Sequence, residues 1–125
     1  MPGTARAFLL PTMVVLVCGG LSFADKARLF DALDRIHRVH PISRVIHGAA
    51  KGADNLAKWW ASERGISCRA YPADWQRFRK AAGPIRNAEM LAEGKPELVV
   101  AFDGGKGTAN MVQQAKSAGV PIVHR

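Results

Sequence analysis

Met13-Val-Val-Leu-Val-Cys18, followed at once by Gly19-Gly20, is the stretch on which the fold turns. Six apolar residues, three of them valine, with no polar alternation, suit a central strand covered on both faces. The competing reading is the apolar core of a secretory signal, since Arg6 precedes an apolar stretch from Ala7 to Cys18. Pro11 interrupts that stretch, and no convincing small-x-small cleavage site follows it. The chain passes instead through the glycine pair into an amphipathic helix, as it does after a first buried strand. Residues 1–12 are then an N-terminal tail or a lead-in to that strand.

Working outward, apolar runs and helical segments alternate to the C-terminus. From about Ala24 to Val39, Leu29, Phe30, Leu33 and Ile36 share one helical face, while Asp31/Arg35 and Asp34/Arg38 stand at the i,i+4 spacing of ion pairs. Pro41 breaks the helix and Arg44 to His47 forms a second strand. A helix with Ala53, Leu56, Ala57 and Trp60 inward ends at Gly65, and Ile66 to Tyr71 is a third strand. A long loop from Pro72 leads to a helix over about Pro84 to Glu93, with proline in its first turn. Leu98 to Phe102 is the fourth strand, a helix after Gly107 ends near Gly119, and Val120 to Val123 closes the sheet. Strands separated by helices require right-handed crossovers and parallel pairing. The expected fold is therefore α/β, a Rossmann-like three-layer sandwich with a mainly parallel five-stranded sheet. At 125 residues and 48% hydrophobic, the chain makes one domain over 1–125 with a single core.

Two cysteines, Cys18 and Cys68, are too few for a disulfide framework and fit a reducing, cytoplasmic setting. No stretch approaches the length of a membrane span. The net charge of +8 either favours anionic partners or simply keeps the protein soluble. His37, His40, His47 and His124 show no metal-ligand spacing, so no metal site is expected, and no Ser-His-Asp or Cys-His set can be assembled.

In an open parallel sheet, ligands bind beyond the carboxyl ends of the strands, where helix N-termini point. Glycines stand at three of those turns: Gly19-Gly20, Gly48-Ala-Ala-Lys51-Gly52, and Gly104-Gly105-Lys106-Gly107-Thr108. Any one could be an ordinary tight turn. Three on the same edge point to backbone N–H groups cradling an anion, with a helix dipole behind them. The Walker spacing and the Gly-x-Gly-x-x-Gly fingerprint are both absent, and His47 ends the second strand where a dinucleotide site has an acid. The loop from Pro72 adds Asp74, Trp75, Arg86 and Asn87. Arg86 could grip phosphate and Trp75 could stack on a base, or the loop is a lid packed by its own aromatics. Of the adjacent Trp59 and Trp60, Trp60 is assigned to the core.

Gly48-x-Ala-x-Gly52-Ala-Asp54, Ala57-x-x-Trp60-Ala61, Pro72-Ala-Asp74-Trp75, Ala81-Ala-Gly-Pro-Ile-Arg86-Asn87-x-x-Met90 and Ala101-Phe-x-Gly104-Gly-x-Gly-Thr108 occur in that order. Together they resemble the cpYpsA-related branch of the SLOG superfamily, from about Val14 to Val123. The resemblance implies a site for nucleotides or nucleotide-derived ligands such as ADP-ribose, and a dimer or larger homo-oligomer. It also brings Asp54 into the ligand-binding set beside the turn residues Gly19, Gly20, Gly48, Lys51 and Gly52. Two positions depart from the family pattern: Leu21 stands where the first turn usually has arginine, and Arg79 where the loop usually has glycine.

The leading expectation is a nucleotide-derivative sensor or sequestering module with no certain cofactor. An N-glycosidic hydrolase of the lonely-guy phosphoribohydrolase type, to which the resemblance also extends, is the alternative. In that register Met111 occupies the place of the catalytic glutamate, which leaves Glu89 and Asp74 as candidate carboxylates. A DprA-like single-strand DNA binder comes third, because the chain is only 7% aromatic and several of those rings are needed in the core.

Overall fold

A computed structural model of the protein describes residues 11–125. Of the N-terminal tail or lead-in expected over 1–12, the part up to residue 10 lies outside the described residues. The elements run β1 (Met13–Cys18), α1 (Lys26–Val39), β2 (Ile42–His47), α2 (Ala53–Arg64), β3 (Ser67–Ala70), α3 (Trp75–Phe78), a 3-10 turn (Arg79–Ala81), α4 (Ala82–Gly94), β4 (Leu98–Ala101), α5 (Lys106–Ser117) and β5 (Ile122–His124). The five strands pair in the order β3-β2-β1-β4-β5, every pair parallel. This is the Rossmann-like α/β sheet, and its order reverses between β1 and β4.

Alternation along the strands divides the core in two. Val15, Val17, Val45 and Val100 face Leu29 and Leu33 of α1 and Ala57 and Trp60 of α2. Leu16, Ile46, Val99 and Ala101 face Met90 of α4 and Met111 and Ala115 of α5. Helices on both faces explain why β1 needs to be apolar throughout. Its last four residues are all buried.

Local signals set the helix ends. Asp25 Oδ1 accepts from the Arg28 amide at 3.0 Å, so α1 starts at Lys26, two residues later than the apolar pattern suggests. Gly65 closes α2 at φ 66°, a left-handed cap that glycine takes without strain. The segment after Pro72 differs most from expectation. It is not a continuous loop: Asp74 caps one helical turn, the 3-10 turn follows, and α4 begins at Ala82, leaving Pro84 inside the first turn.

The i,i+4 pair Asp31–Arg35 forms at 2.9 Å, but Asp34 does not pair with Arg38. Its carboxylate accepts from Arg64 Nε at 3.0 Å and Nη2 at 2.8 Å, and from Trp60 Nε1 at 2.8 Å. A fork-shaped guanidinium with an indole N–H outcompetes a single long side chain on the same helix. These hydrogen bonds, Arg64 first, hold Asp34 below the usual carboxylate range. Trp60 is fully buried, whereas Trp59 is half exposed beneath Lys26, whose Nζ sits 3.6 Å from a Trp59 ring centroid.

Candidate functional site

At the point where the sheet order reverses, the turns after β1 and β4 lie side by side. The Gly20 amide donates to Asp103 O at 2.7 Å, and Gly20 O accepts from Ala53 N, at the start of α2, at 3.3 Å. Side chains are excluded where these turns meet. A Cβ on Gly104 would overlap Thr108 Oγ1 and lie 2.8 Å from the Gly20 amide nitrogen. Gly52 has φ +75°, and a Cβ there would collide with Gly20 O. Glycine is required at both positions by close backbone approach.

Above these turns opens a cleft of about 410 Å³, within the usual size range of small-molecule sites. One wall is Gly19, Gly20 and Leu21, a second is Gly48, Ala50 and Asp54, and a third runs from Gly105 through Thr108 to Asn110 and Met111. Trp75, Lys80, Pro84, Arg86, Asn87 and Met90 complete it from the α3–α4 side. Gly105 is the N-cap of α5 and offers no side-chain cap. The first intrahelical bond there is Ala109 N to Gly105 O, 3.0 Å, so the first-turn amides of Lys106, Gly107 and Thr108 have no acceptor within the helix. A Cβ on Gly105 would meet nothing within 4 Å.

Arg86 and Asn87 cross the cleft floor as a brace. Arg86 Nη1 donates to Gly48 O and, at 3.4 Å, to Tyr71 O, while its Nε donates to Asn87 Oδ1 at 2.9 Å. Asn87 Nδ2 in turn donates to Gly107 O at 3.3 Å and Asn110 Oδ1 at 3.1 Å. The pair expected to grip a ligand therefore tethers the β2 turn to the first turn of α5. Burial pushes the Arg86 guanidinium pKa down, and the Asp54 charge partly restores it.

Asp54 is 6% exposed, and its Oδ2 accepts from the amides of Gly48 at 3.0 Å and Ala50 at 3.2 Å. Burial pushes its carboxyl up to about 6, against the opposing pull of those amides and Arg86. Burial, with the Asp54 charge second, pushes the Cys18 thiol up to about 12. His47 is buried with Nδ1 accepting from the Ala49 amide at 3.0 Å. Burial first, then Lys58 and Arg86, push it down to about 4, so it is neutral at pH 7.

Other members of the expected set stand elsewhere. Lys51 and Gly52 do not line the cleft, and Gly104 lines the groove on the far side of the α5 turn. The two carboxylates expected near the site, Asp74 and Glu89, do not line it either. Asp74 turns back to cap α3, accepting from the Arg77 amide at 3.1 Å. Glu89 is exposed; it lies two residues past Asn87, about 200° around α4 by helix geometry, on the side away from the cleft. Met90, three residues past Asn87, does face it. Lys80, Asn110 and Met111 also line the cleft without belonging to the expected binding set; Asn110 and Met111 stand three or four residues past Lys106, Gly107 and Thr108 on α5, whereas Lys80 lies beyond the end of α3 and carries no such signal. Arg79, at the position where glycine was expected, has φ 54° and ψ −128°. Among the described residues no group of three or more His, Cys, Asp or Glu is placed to hold a metal ion. No helix there is long and apolar enough to cross a membrane.

A parallel sheet in this order, with a glycine-walled cleft at its reversal, defines a Rossmann-like ligand-binding module. Residues 13–78 match the YAcAr family, described as YspA, cpYpsA-related SLOG, and the chain belongs to that family. It is 35% identical over 118 residues to the Gene 61 protein of Mycobacterium phage D29, covering 88% of this chain and 94% of that one. Among solved structures, DNA processing protein A (DprA) of Streptococcus pneumoniae is similar in fold, with a TM-score of 0.72 and 15% identity. That match takes in 93% of this chain and spans half of the DprA chain. The Moco Carrier Protein of Chlamydomonas reinhardtii gives a TM-score of 0.59 at 18% identity, over 90% of this chain and 75% of that one.

Proposed function

We propose that the protein binds a phosphate-bearing, nucleotide-derived small molecule of the ADP-ribose or nucleotide type, as a sensor or sequestering module. One observation carries the reading: the uncapped first turn of α5, with Gly105 and Lys106, faces the cleft. Free amides at the positive end of a helix favour phosphate, and an ammonium group beside them adds charge. Trp75, 58% exposed on the opposite rim, offers a flat face for a base. The Moco carrier, by its name, and DprA, by its title, point to a small-molecule and a DNA partner respectively. The cleft favours the small molecule because it is a pocket with bounded walls. A second copy of the chain in the cytoplasm as partner rests on the family resemblance.

For the hydrolase alternative, the cleft holds Met111 in place of the expected glutamate, and neither Asp74 nor Glu89 lines it. Methionine can neither carry charge nor move a proton. The deciding experiment is a thermal-shift series with AMP, ADP-ribose and a single-stranded oligonucleotide. AMP or ADP-ribose should raise Tm in the parent protein, and Gly105→Val should lose that rise while its apo Tm holds. An unchanged ligand-induced shift in Gly105→Val refutes the phosphate assignment. Stabilisation by the oligonucleotide alone, fading steeply with salt, puts nucleic acid in its place.

A further inference from the structure

In dinucleotide-binding Rossmann sheets an acid at the end of the second strand accepts hydrogen bonds from the ribose hydroxyls. Here β2 ends in His47, whose ring is buried and turned onto the Ala49 amide. The carboxylate arrives by another route. Gly48-Ala49-Ala50 curls back, with Ala49 at φ 59°, and its amides close on Asp54 from the first turn of α2. An acid thus lies against the residue immediately following β2, although it is seven positions downstream of the strand's last residue in sequence.

Only one of its oxygens is used. Oδ2 takes both amides, and among the described residues Oδ1 makes no hydrogen bond. Nor is Oδ1 sealed in: the one sealed side-chain polar atom without a partner among the described residues is Tyr71 Oη. Asp54 lines the cleft that the α5 turn opens into. A buried acceptor with an open lone pair is costly until a donor arrives, which makes it a strong discriminator between ligands with and without that donor.

We infer that Asp54 reads a ribose: its Oδ1 accepts from the hydroxyls of a pentose whose phosphate rests on the α5 turn, so that ribo-compounds are preferred to 2′-deoxyribo-compounds. The inference deepens the proposed nucleotide-type function and rests on it. A backbone-tethered carboxylate does not rotate away from the ligand, so a missing hydroxyl leaves Oδ1 without the donor that a ribo-compound supplies. Loss of a hydrogen bond to such a group weakens binding roughly 10- to 100-fold.

The preference requires the ionised carboxylate and is therefore linked to pH. Facing Asp54 are Cys18 from β1 and Arg86 from α4, with Lys80 and Lys106 across the same cleft, while His47 at the end of β2 feels Lys58 and Arg86. Cys18, pushed up to about 12, and His47, pushed down to about 4, stay neutral from pH 5 to 8, while Asp54 changes charge near 6. A phosphate monoester also titrates near pH 6. AMP and 2′-deoxy-AMP share that group, so its titration cancels in the ratio of their affinities.

The test measures AMP and 2′-deoxy-AMP binding by calorimetry on the full chain at pH 8 and pH 5, and repeats it with Asp54→Asn. At pH 8 AMP should bind at least about tenfold more tightly, the ratio should narrow at pH 5, and Asp54→Asn should bring it near one. Equal binding of the two probes at pH 8, or a ratio untouched by Asp54→Asn, overturns the inference and leaves the nucleotide function standing. Binding of neither probe overturns the inference, and overturns the nucleotide function as well when ADP-ribose gives no thermal shift. Should Asp54→Asn fail to fold, the wild-type series decides: a ratio constant between pH 8 and pH 5 overturns the inference.

Discussion

Replacing Asp54 by asparagine should uncover a loss of stability on acidification that the wild-type protein conceals. His47 is held down to about 4 from its ordinary 6.5, so its contribution is complete above 6.5 and is lost as pH falls through 4. Asp54 is pushed up to about 6 from 3.8, so its contribution is complete below 3.8 and is lost as pH rises through 6. Between pH 6 and 4 the unfolded chain carries the His47 proton that the native state lacks, and the native state carries the Asp54 proton that the unfolded chain lacks. Each is worth about 1.4 kcal/mol per pH unit, with opposite signs. Across two pH units the pair cancels in wild type. Asp54→Asn keeps an acceptor for the Gly48 and Ala50 amides but removes the proton uptake, so, with each group only partly titrated at the ends of the interval, it should lose about 2 kcal/mol between pH 6 and 4 relative to wild type. His47→Asn should show the reverse, gaining stability over the same interval. Urea melts at pH 7, 6, 5 and 4 at constant ionic strength give the free energies by linear extrapolation. Comparison with wild type cancels other acids such as Asp34, whose depressed carboxyl acts below its ordinary 3.8. Asp54→Asn and wild-type curves that run parallel from pH 6 to 4 would refute the reasoning.

Two further outcomes are expected. Arg79 sits at φ 54° and ψ −128°, where side chains are strained, so Arg79→Gly should stabilise by about 1 kcal/mol or more and raise Tm by several degrees; a lower Tm in a thermal melt counts against the strain. Gly104→Ala should destabilise the apo protein by about 1–3 kcal/mol, since its Cβ meets Thr108 and the Gly20 amide, while Gly105→Ala should leave apo stability unchanged; equal urea midpoints for the two variants contradict the packing of the turns.

Apolar runs made β1 and β4 legible, because a strand buried on both faces must be apolar; β3, an exposed Ser-Cys-Arg-Ala edge strand, was legible only from its place between Gly65 and Pro72. Boundaries moved by a residue or two where a cap such as Asp25 decides them. The segment after Pro72 reads as a loop because its polar residues hide a single capped turn. Arg38 lost Asp34 to Arg64, which lies thirty residues away from that acid, a competition that i,i+4 spacing cannot reveal. Within the candidate site the glycine turns were visible as motifs, but how they brace one another was not. Asp74 and Glu89 have the right chemistry in the right segment; the angle around α4 and the cap of α3 put them elsewhere. Asp54 was visible only within a motif, since the bend that carries it back to the end of β2 depends on Ala49 in a conformation uncommon for alanine.

The mutual bracing of the three turns also separates what this protein can vary from what it cannot. Gly20, Gly52 and Gly104 are interlocked through backbone atoms, so accepting a side chain at one requires movement at another. Leu21, Trp75, Lys80 and Lys106 line the same cleft yet make no side-chain hydrogen bond among the described residues. Mutations at these rim positions can accumulate singly with little folding cost, while the frame beneath stays constant. Ligand preference in such a lineage can diverge quickly among relatives that keep one scaffold.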